Sequence, residues 1–158
     1  MNTNKLLSFA FALLLSGGVS AQEASFNAGS GTAPEGGSGT LSMTMDNSGQ
    51  EIAGWSLGVC NDTSVATVSA ANSGADTETA KNGSAPDFNQ IGVFPEGVTQ
   101  GVVLCFTGCA VVADVSGFEM LTVDYDGIAE GTTDIAFCDT LGAPPVATVI
   151  VVNGASLA

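Results

Sequence analysis

The sequence contains no histidine and no arginine, and its only basic residues are Lys5 and Lys81. Without histidine the chain has no imidazole base, no histidine metal ligand and no Ser-His-Asp triad. Without arginine it has no bidentate clamp for phosphate. The 16 acidic residues give a formal net charge of −14, so the chain cannot displace counterions from nucleic acid, and anionic membranes repel it. We predict a protein that is not an enzyme and that binds no nucleic acid.

The N-terminus has the pattern of a secretory signal peptide. Lys5 precedes the apolar run Leu6–Leu15, and the small residues Val19-Ser20-Ala21 follow it. This run is too short to span a membrane, and the pattern predicts cleavage after Ala21. We therefore expect residues 1–21 to be removed and the protein to be secreted, extracellular or at the cell surface, without membrane insertion.

Helix-forming residues are scarce after the signal peptide, and no segment has a sustained helical period. Short runs of β-branched and aromatic residues alternate with turn residues every 8 to 15 positions, a pattern typical of an all-β sandwich. We predict about nine strands, namely Ser25–Ala28, Thr40–Asp46, Ile52–Cys60, Val65–Ala70, Phe88–Phe94, Val98–Thr107, Phe118–Tyr125, Thr133–Cys138 and Val146–Val152. The last of these is a continuous apolar run that suits a strand buried on both sides.

Three segments organise the chain. Residues 22–38 are Gly-rich and contain a candidate first edge strand, and residues 39–158 form the predicted sandwich. Within the sandwich, residues 72–87 are polar and poor in apolar side chains, which predicts one long surface loop.

The stretch from Gly54 to Gly58 is a literal G-x-S-x-G. In α/β-hydrolases this motif lies on a strand-turn-helix elbow and requires a histidine partner. Here it lies inside a β pattern in a chain without histidine. We interpret it as a strand whose glycines leave room for Trp55 or form a bulge.

Several segments resemble the cohesin-like domains of secreted bacterial proteins. They are IAGWSLGVCND from Ile52, DFNQIGVFPEG from Asp87, GVVLCFTG from Gly101, FEMLTVDYDG from Phe118 and DTLGAPPVATVIVVNG from Asp139. The resemblance covers roughly residues 39–154. It implies a nine-stranded jelly-roll sandwich, a fold that several carbohydrate-binding modules share, and a non-catalytic recognition or scaffold role. The chain differs from cellulosomal cohesins in its cysteines and in lacking tandem copies.

The four cysteines are Cys60, Cys105, Cys109 and Cys138. An even count in an exported chain predicts disulfides. Cys105 and Cys109 would be too far apart in an extended strand, but a turn at Thr107-Gly108 would close that gap. In cohesin-like topology the strands ending at Cys60 and Cys138 are neighbours, so the resemblance favours the pairs Cys60–Cys138 and Cys105–Cys109. Cys60–Cys105 is the alternative.

Two sets of residues are candidate binding sites. Trp55, Phe94 and Tyr125 are able to stack on sugar rings if they are exposed, although such residues in strands more often lie in the core. Asp124, Asp126 and Glu130 supply closely spaced oxygens of the kind that calcium prefers, although a plain hairpin turn explains the D-x-D-G stretch more simply. Calcium is the one cofactor that the sequence suggests.

Three functions compete. The first is a secreted, non-catalytic recognition module that binds a protein partner or a polysaccharide through one sandwich face or through the loop 72–87. The second is a structural or matrix subunit of the cell surface, with a calcium-dependent assembly as one version. The third, a small carboxylate glycosidase, has only scattered acidic residues in its favour.

Overall fold

The computed structural model describes residues 23–158, and the predicted signal peptide, residues 1–21, lies outside the described residues. These residues form ten strands and one 3-10 helix, Thr77–Thr79. The strands are β1 (Glu23–Ala28), β2 (Ser38–Ser48), β3 (Ile52–Cys60), β4 (Ala66–Ser73), β5 (Phe88–Phe94), β6 (Gly97–Val103), β7 (Val115–Gly127), β8 (Ala136–Phe137), β9 (Val149–Val152) and β10 (Ala155–Leu157). Residues 23–158 contain no helix of the length and apolarity that a membrane span requires.

The strands form two antiparallel sheets. The first sheet has the order β1-β2-β7-β4, and the second has the order β10-β9-β3-β6-β5. The short strand β8 pairs with the end of β3, beside the stretch of β3 that pairs with β9. The predicted all-β sandwich is therefore confirmed.

The core lies between the two sheets and is built from alternate residues of the four central strands. The first sheet contributes Met43 and Met45 from β2, together with Phe118, Met120, Leu121, Val123 and Tyr125 from β7. The second sheet contributes Trp55, Leu57 and Val59 from β3, together with Val98 and Val102 from β6. The Trp55 ring meets the Phe118 ring edge-on at a centroid distance of 5.7 Å.

One buried polar side chain links the sheets through this core. Gln100 of β6 is 1% exposed and accepts a hydrogen bond from Nε1 of Trp55 at 3.1 Å. Its Nε2 donates to the carbonyl of Met120 in the first sheet and to Oδ1 of Asn89, each at 3.1 Å. Because these polar atoms are paired, Trp55 and Gln100 are buried without the cost of an unsatisfied donor.

Both preferred disulfides are confirmed. Cys60 is bonded to Cys138 with 5.9 Å between the Cα atoms, and Cys105 is bonded to Cys109 with 5.5 Å between them. The alternative pair Cys60–Cys105 is wrong, and none of the cysteines is free. The first bond ties β3 to the end of β8, and the second closes a tight turn after β6.

Three of the predicted strands are shorter than the sequence suggested. The segment Val98–Thr107 is extended only as far as Val103, because the disulfide and a hydrogen bond from Gly108 N to the Cys105 carbonyl (3.0 Å) fold the chain into a turn. The segment Thr133–Cys138 contributes only the two residues of β8.

The C-terminal strand also differs from its prediction. β9 begins at Val149, because Val146 N donates to the Leu141 carbonyl at 2.8 Å and Thr148 N donates to Asp139 Oδ1 at 2.6 Å. It is half-buried for most of its length, and the unpredicted strand β10 lies at its outer edge.

The segment 72–87 is partly ordered structure, not one long loop. β4 continues to Ser73, and the 3-10 helix follows. The buried hydroxyl of Thr77 donates to the Met120 carbonyl at 3.0 Å, and Glu119 N donates to Asp76 Oδ2 at 2.7 Å. These bonds hold the segment against β7.

We predict that the two disulfides contribute unequally to stability. Cys60 and Cys138 are 78 residues apart, whereas Cys105 and Cys109 are four apart. In the chain-entropy picture, replacing the first pair by alanine lowers the free energy of unfolding by about 4 kcal/mol and replacing the second by about 2 kcal/mol. Urea unfolding of the two double variants measures both losses, and equal losses would contradict the prediction.

Candidate functional site

The three aromatic residues that were candidate sugar platforms lie in different places. Trp55 is 1% exposed and Tyr125 is 4% exposed, so the expectation that they stack on a sugar does not fit this structure, because both rings are covered by the core. Burial raises the pKa of Tyr125 to about 12. Phe94 is half-buried on the outer surface of the second sheet.

The candidate calcium residues are not brought together. Asp124 and Asp126 point outward from β7, where Asp124 accepts a hydrogen bond from the Thr40 hydroxyl. Glu130 lies beyond the end of β7 on an exposed segment. Across residues 23–158 no three histidine, cysteine or acidic side chains converge in a way that would hold a metal ion.

The outer surface of the second sheet can be mapped from its strand register, since residues opposite each other on paired strands point to the same side. Four rows of residues cross the sheet on the side away from the core. They are Phe88, Val103, Gly54 and Val151; Gln90, Gly101, Ser56 and Val149; Gly92, Thr99 and Gly58; and Phe94, Gly97, Cys60 and Ala136.

None of the residues in these four rows is charged, although the chain has 16 acidic residues. We call this surface the uncharged face. Its apolar side chains include Phe88, which is 40% exposed, and Val103, which is 36% exposed. Phe106 lies beyond Val103 in the disulfide-closed turn and is 70% exposed. The face therefore presents aromatic and aliphatic side chains at one end.

Glycines make the middle of the uncharged face low. The Phe88 ring lies over Gly101, where a Cβ atom would be 3.6 Å from Cε1 of the ring. The Phe94 ring lies beside Gly92 in the same way, at 3.3 Å from Cε2. Because glycine has no side chain, each ring has room beside its glycine.

The glycines of β3 are needed for close backbone contact. A Cβ atom at Gly54 would lie 2.4 Å from the Val102 carbonyl oxygen, and one at Gly58 would lie 2.4 Å from that of Cys138. The register also shifts between Ile52 and Gly54. The register shift fits the bulge that was one of the two interpretations of these glycines, whereas Gly58 makes room for the chain that follows β8.

The segment between β8 and β9 covers one side of the uncharged face, where Gly58 and Gly97 are buried. Leu141 is buried against Gly97, where its Cδ1 would be 2.6 Å from an added Cβ atom. The Ser56 hydroxyl donates to the Ala147 carbonyl at 2.6 Å. With the Cys60–Cys138 disulfide at the same side, this edge of the face is held in place.

The outer surface of the first sheet has the opposite character. It carries serine, threonine and asparagine together with five acidic residues, which are Glu23, Asp46, Glu119, Asp124 and Asp126. Most of these carboxylates accept hydrogen bonds from neutral donors. Asp46 accepts from the Ser116 hydroxyl, Gly117 N and the Asn27 amide, each at 2.8 Å, and Glu119 accepts from the Ser42 hydroxyl at 2.7 Å. The two outer surfaces therefore differ sharply in charge.

Comparison with known proteins supports the fold. No protein-family model matches the chain, and no curated protein matches it in sequence. The solved structure of a non-cellulosomal cohesin from the hyperthermophilic archaeon Archaeoglobus fulgidus has a TM-score of 0.62 at 14% identity, over 86% of this chain and 83% of that one. The third cohesin of ScaC from Acetivibrio cellulolyticus, solved in complex with the ScaB dockerin, has a TM-score of 0.62 at 13% identity, over 81% and 85%. The chain thus has a cohesin-like fold, as its sequence pattern predicted.

The sequence analysis did not predict the uncharged face. Its signal in the sequence is the lack of acidic residues at every second position of β3, β5 and β6, combined with glycine at several of those positions. The register must be known before these positions can be assigned to one surface, and the register depends on the bulge at Gly54.

We predict that two glycines of the uncharged face respond differently to alanine. Gly58→Ala places a methyl group 2.4 Å from a backbone oxygen, whereas Gly101→Ala makes only an ordinary contact at 3.6 Å. The first change should lower the free energy of unfolding by about 1–3 kcal/mol, and the second should change it by less than about 1 kcal/mol. Urea unfolding compares the two, and equal effects would contradict the assigned packing.

We also predict that Asp46 stabilises the fold at neutral pH. Hydrogen bonds from Ser116, Gly117 and Asn27 lower the pKa of Asp46 below its ordinary value. A carboxyl group whose pKa is lower in the folded than in the unfolded state stabilises the fold fully at any pH above its unfolded-state pKa. That stabilisation is lost as the pH falls through its folded-state pKa. Asp46→Asn should therefore have a lower free energy of unfolding than the wild type at pH 7, and the difference between the two proteins should narrow below about pH 4. Urea unfolding at a series of pH values measures this difference. A difference in the free energy of unfolding that stays constant from pH 7 to pH 2 would contradict the prediction.

Proposed function

We propose that this protein is an exported, non-catalytic recognition module that binds a protein partner through the uncharged face. The observation that carries the proposal is the charge contrast between the two outer surfaces. Five acidic residues lie on the first sheet, and none lies in the four rows of the second. The centres of protein interfaces are depleted in charged residues and enriched in aromatic ones.

The aromatic residues of the face are suited to anchor such a partner. Phe88 and Phe94 lie along its β5 edge, with Val103 beside Phe88. Aromatic side chains near the centre of an interface often supply most of the binding energy, while small residues around them allow close contact. The surface open to a partner lies toward β5, where Gly101 is only partly buried, since Gly54, Gly58 and Gly97 are buried.

Acidic residues at the border of the face favour a partner with a basic rim. Glu96 follows Phe94 and Pro95 in the turn to β6, and Asp139 follows Cys138; both are exposed. Complementary rim charges chiefly speed association, and salt weakens their effect. The proposed partner therefore has an apolar centre and lysine or arginine around it.

A heterologous partner is favoured over a second copy of this chain. Two copies of residues 22–158 meeting through the uncharged face would each bring 16 acidic residues and one basic residue, and the resulting long-range repulsion opposes association. The structural or matrix role is the alternative, since it would use the same face for self-association. A protein is favoured over a polysaccharide because a charge-depleted surface with aromatic side chains is typical of protein interfaces. In addition, two of the three candidate sugar platforms, Trp55 and Tyr125, lie in the core.

Export is part of the proposal. The sequence pattern of residues 1–21 is that of a signal peptide, and two disulfides fit an oxidising compartment. The cohesin from Acetivibrio cellulolyticus was solved with a dockerin bound. We propose dockerin domains as the first class of partner to test.

The test measures binding of the chain from Gln22 to Ala158 to a panel of purified dockerin domains by biolayer interferometry. Phe88→Asp puts a charge at the exposed end of the uncharged face and should weaken any binding at least tenfold, since burying an unpaired carboxylate in an interface is costly. Thr122→Asp is the matched control, because it adds the same charge to the outer surface of the first sheet.

Two results would overturn the proposal. One is dockerin binding that survives Phe88→Asp and is lost in Thr122→Asp. The other is a chain that binds none of the dockerins and instead forms dimers in sedimentation velocity that Phe88→Asp abolishes, which would assign the face to self-association.

A further inference from the structure

The Cys105–Cys109 disulfide lies in an open turn that follows β6. Four consecutive residues of this turn are exposed, namely Phe106, Thr107, Gly108 and Cys109. Cys105, by contrast, is 7% exposed. A thiolate cleaves a disulfide by attacking one of its two sulfur atoms, so the reaction depends on access to that sulfur. Cys109 is therefore the open side of this bond.

The Cys60–Cys138 disulfide has a different setting. Both of its cysteines are half-buried. Cys60 is the last residue of β3 and lies between two paired residues, Gly97 of β6 and Ala136 of β8. Neighbouring strands therefore restrict access to this bond from both sides of β3, and exposed disulfides are the ones that exchange readily with thiols.

One side chain of the turn is placed to assist cleavage. The Thr107 hydroxyl oxygen lies 3.2 Å from Sγ of Cys105. Because a disulfide sulfur carries no hydrogen, the hydroxyl is the donor of this hydrogen bond. When a thiolate attacks Cys109, the Cys105 sulfur leaves with a negative charge, and a hydrogen bond to a charged acceptor is stronger than one to a neutral acceptor. Thr107 therefore stabilises Cys105 as the leaving group.

The turn is able to open without opening the sheet. Just before it, Leu104 N donates to the Ala53 carbonyl at 3.0 Å. Just after it, Val112 N donates to the Ile52 carbonyl at 2.8 Å, and Ile52 N donates back to the Val112 carbonyl at 3.0 Å. These hydrogen bonds do not involve the disulfide, so cleavage should loosen only the segment between Leu104 and Val112.

The side chain that this opening affects most is Phe106, which is 70% exposed at the end of the uncharged face. Its backbone N–H donates to Asp87 Oδ2 at 3.0 Å, and Asn82 Nδ2 donates to the Cys109 carbonyl at 3.1 Å. Together with the disulfide, these bonds fix the turn. Without the disulfide only solvent-exposed hydrogen bonds hold it, and segments held in that way open at low free-energy cost.

We propose that the Cys105–Cys109 bond is a reversible redox site that a dithiol reduces while the Cys60–Cys138 bond stays intact. A thiolate of the dithiol attacks Sγ of Cys109 and forms a mixed disulfide, and Cys105 leaves as a thiolate that takes a proton from water. The second thiol of the reductant loses its proton and attacks its partner sulfur in the mixed disulfide, which releases Cys109. The protein gains two electrons and two protons, and the dithiol becomes a disulfide.

This site gives the uncharged face a means of regulation. Oxidised, the turn holds Phe106 in one position beside that face. Reduced, the turn is loose, and a partner that uses Phe106 must order it at a cost in binding free energy. This consequence rests on the proposed function, whereas the redox reaction does not.

The test treats the folded protein with dithiothreitol and, in a separate series, with reduced thioredoxin. Free thiols are alkylated at intervals and located by peptide mass spectrometry. Cys105 and Cys109 should become alkylated at least about tenfold faster than Cys60 and Cys138, as expected for an exposed disulfide compared with a covered one. The relative rates with the two reagents show whether a small dithiol or a protein dithiol is the better reductant.

A matched pair of variants tests the role of the Thr107 hydroxyl. Thr107→Val keeps the shape of the side chain but removes the donor, and should slow reduction of Cys105–Cys109 roughly threefold to tenfold. Thr140→Val is the control, because its hydroxyl lies 3.6 Å from Sγ of Cys60 in the other disulfide. It should leave the reduction of Cys105–Cys109 unchanged. After brief exposure to the monothiol mercaptoethanol and an acid quench, the adduct should be on Cys109.

Hydrogen exchange measures the local opening. Reduction should speed exchange in the segment between Leu104 and Val112 and leave that of β3 and β6 unchanged. Equal rates of reduction for the two disulfides, an adduct on Cys105, equal rates in Thr107→Val and Thr140→Val, or reduction that occurs only when β6 also exchanges would each overturn the proposal. No partner is present in these assays, so their failure and a failure of dockerin binding are distinguishable.

Discussion

The distribution of charge in this structure depends on one constraint: the chain has many acidic side chains and almost no basic side chains to pair with them. Lys81 is the one basic residue in the described chain, so nearly every acidic side chain must be satisfied by water or by a neutral donor. The strand β2 supplies such donors as serine and threonine, and Asp46 and Glu119 are held by hydroxyl, amide and backbone N–H groups. Carboxylates are thereby concentrated on one sheet and on the loops.

The uncharged outer surface of the second sheet is the counterpart of that distribution. Its central strands carry glycine, serine, threonine and valine on the outer side, and the Phe88 and Phe94 rings lie along its edge. A neutral surface on a strongly acidic protein is the one area that another macromolecule can cover without burying charge. The Cys60–Cys138 bond and the contact of Leu141 with Gly97 keep the border of this surface fixed.

The sequence predicted the architecture well because its signals are local. Alternating apolar residues in β2 and β3 identify strands, and an even cysteine count after a predicted signal peptide indicates disulfides. The functional surfaces depend on non-local facts. Trp55 is able to lie in the core because Gln100, on the neighbouring strand, accepts a hydrogen bond from its Nε1–H group. Sequence alone does not pair those two residues.

Other features were hidden for a similar reason. Tyr125 follows the alternation of a core strand, and nothing in its neighbourhood along the chain reveals that its hydroxyl has no partner within residues 23–158. The same holds for strand ends, because the disulfide turn at Cys105–Cys109 makes β6 shorter than its apolar run.

The central claim is that the uncharged face is the surface that a protein partner covers. Hydroxyl-radical footprinting of the free and partner-bound protein tests it most directly, because phenylalanine rings are oxidised in proportion to their exposure. The account predicts that Phe88 and Phe94 are protected in the complex. Oxidation of both rings at the rate of the free protein, in a complex that has demonstrably formed, would contradict it.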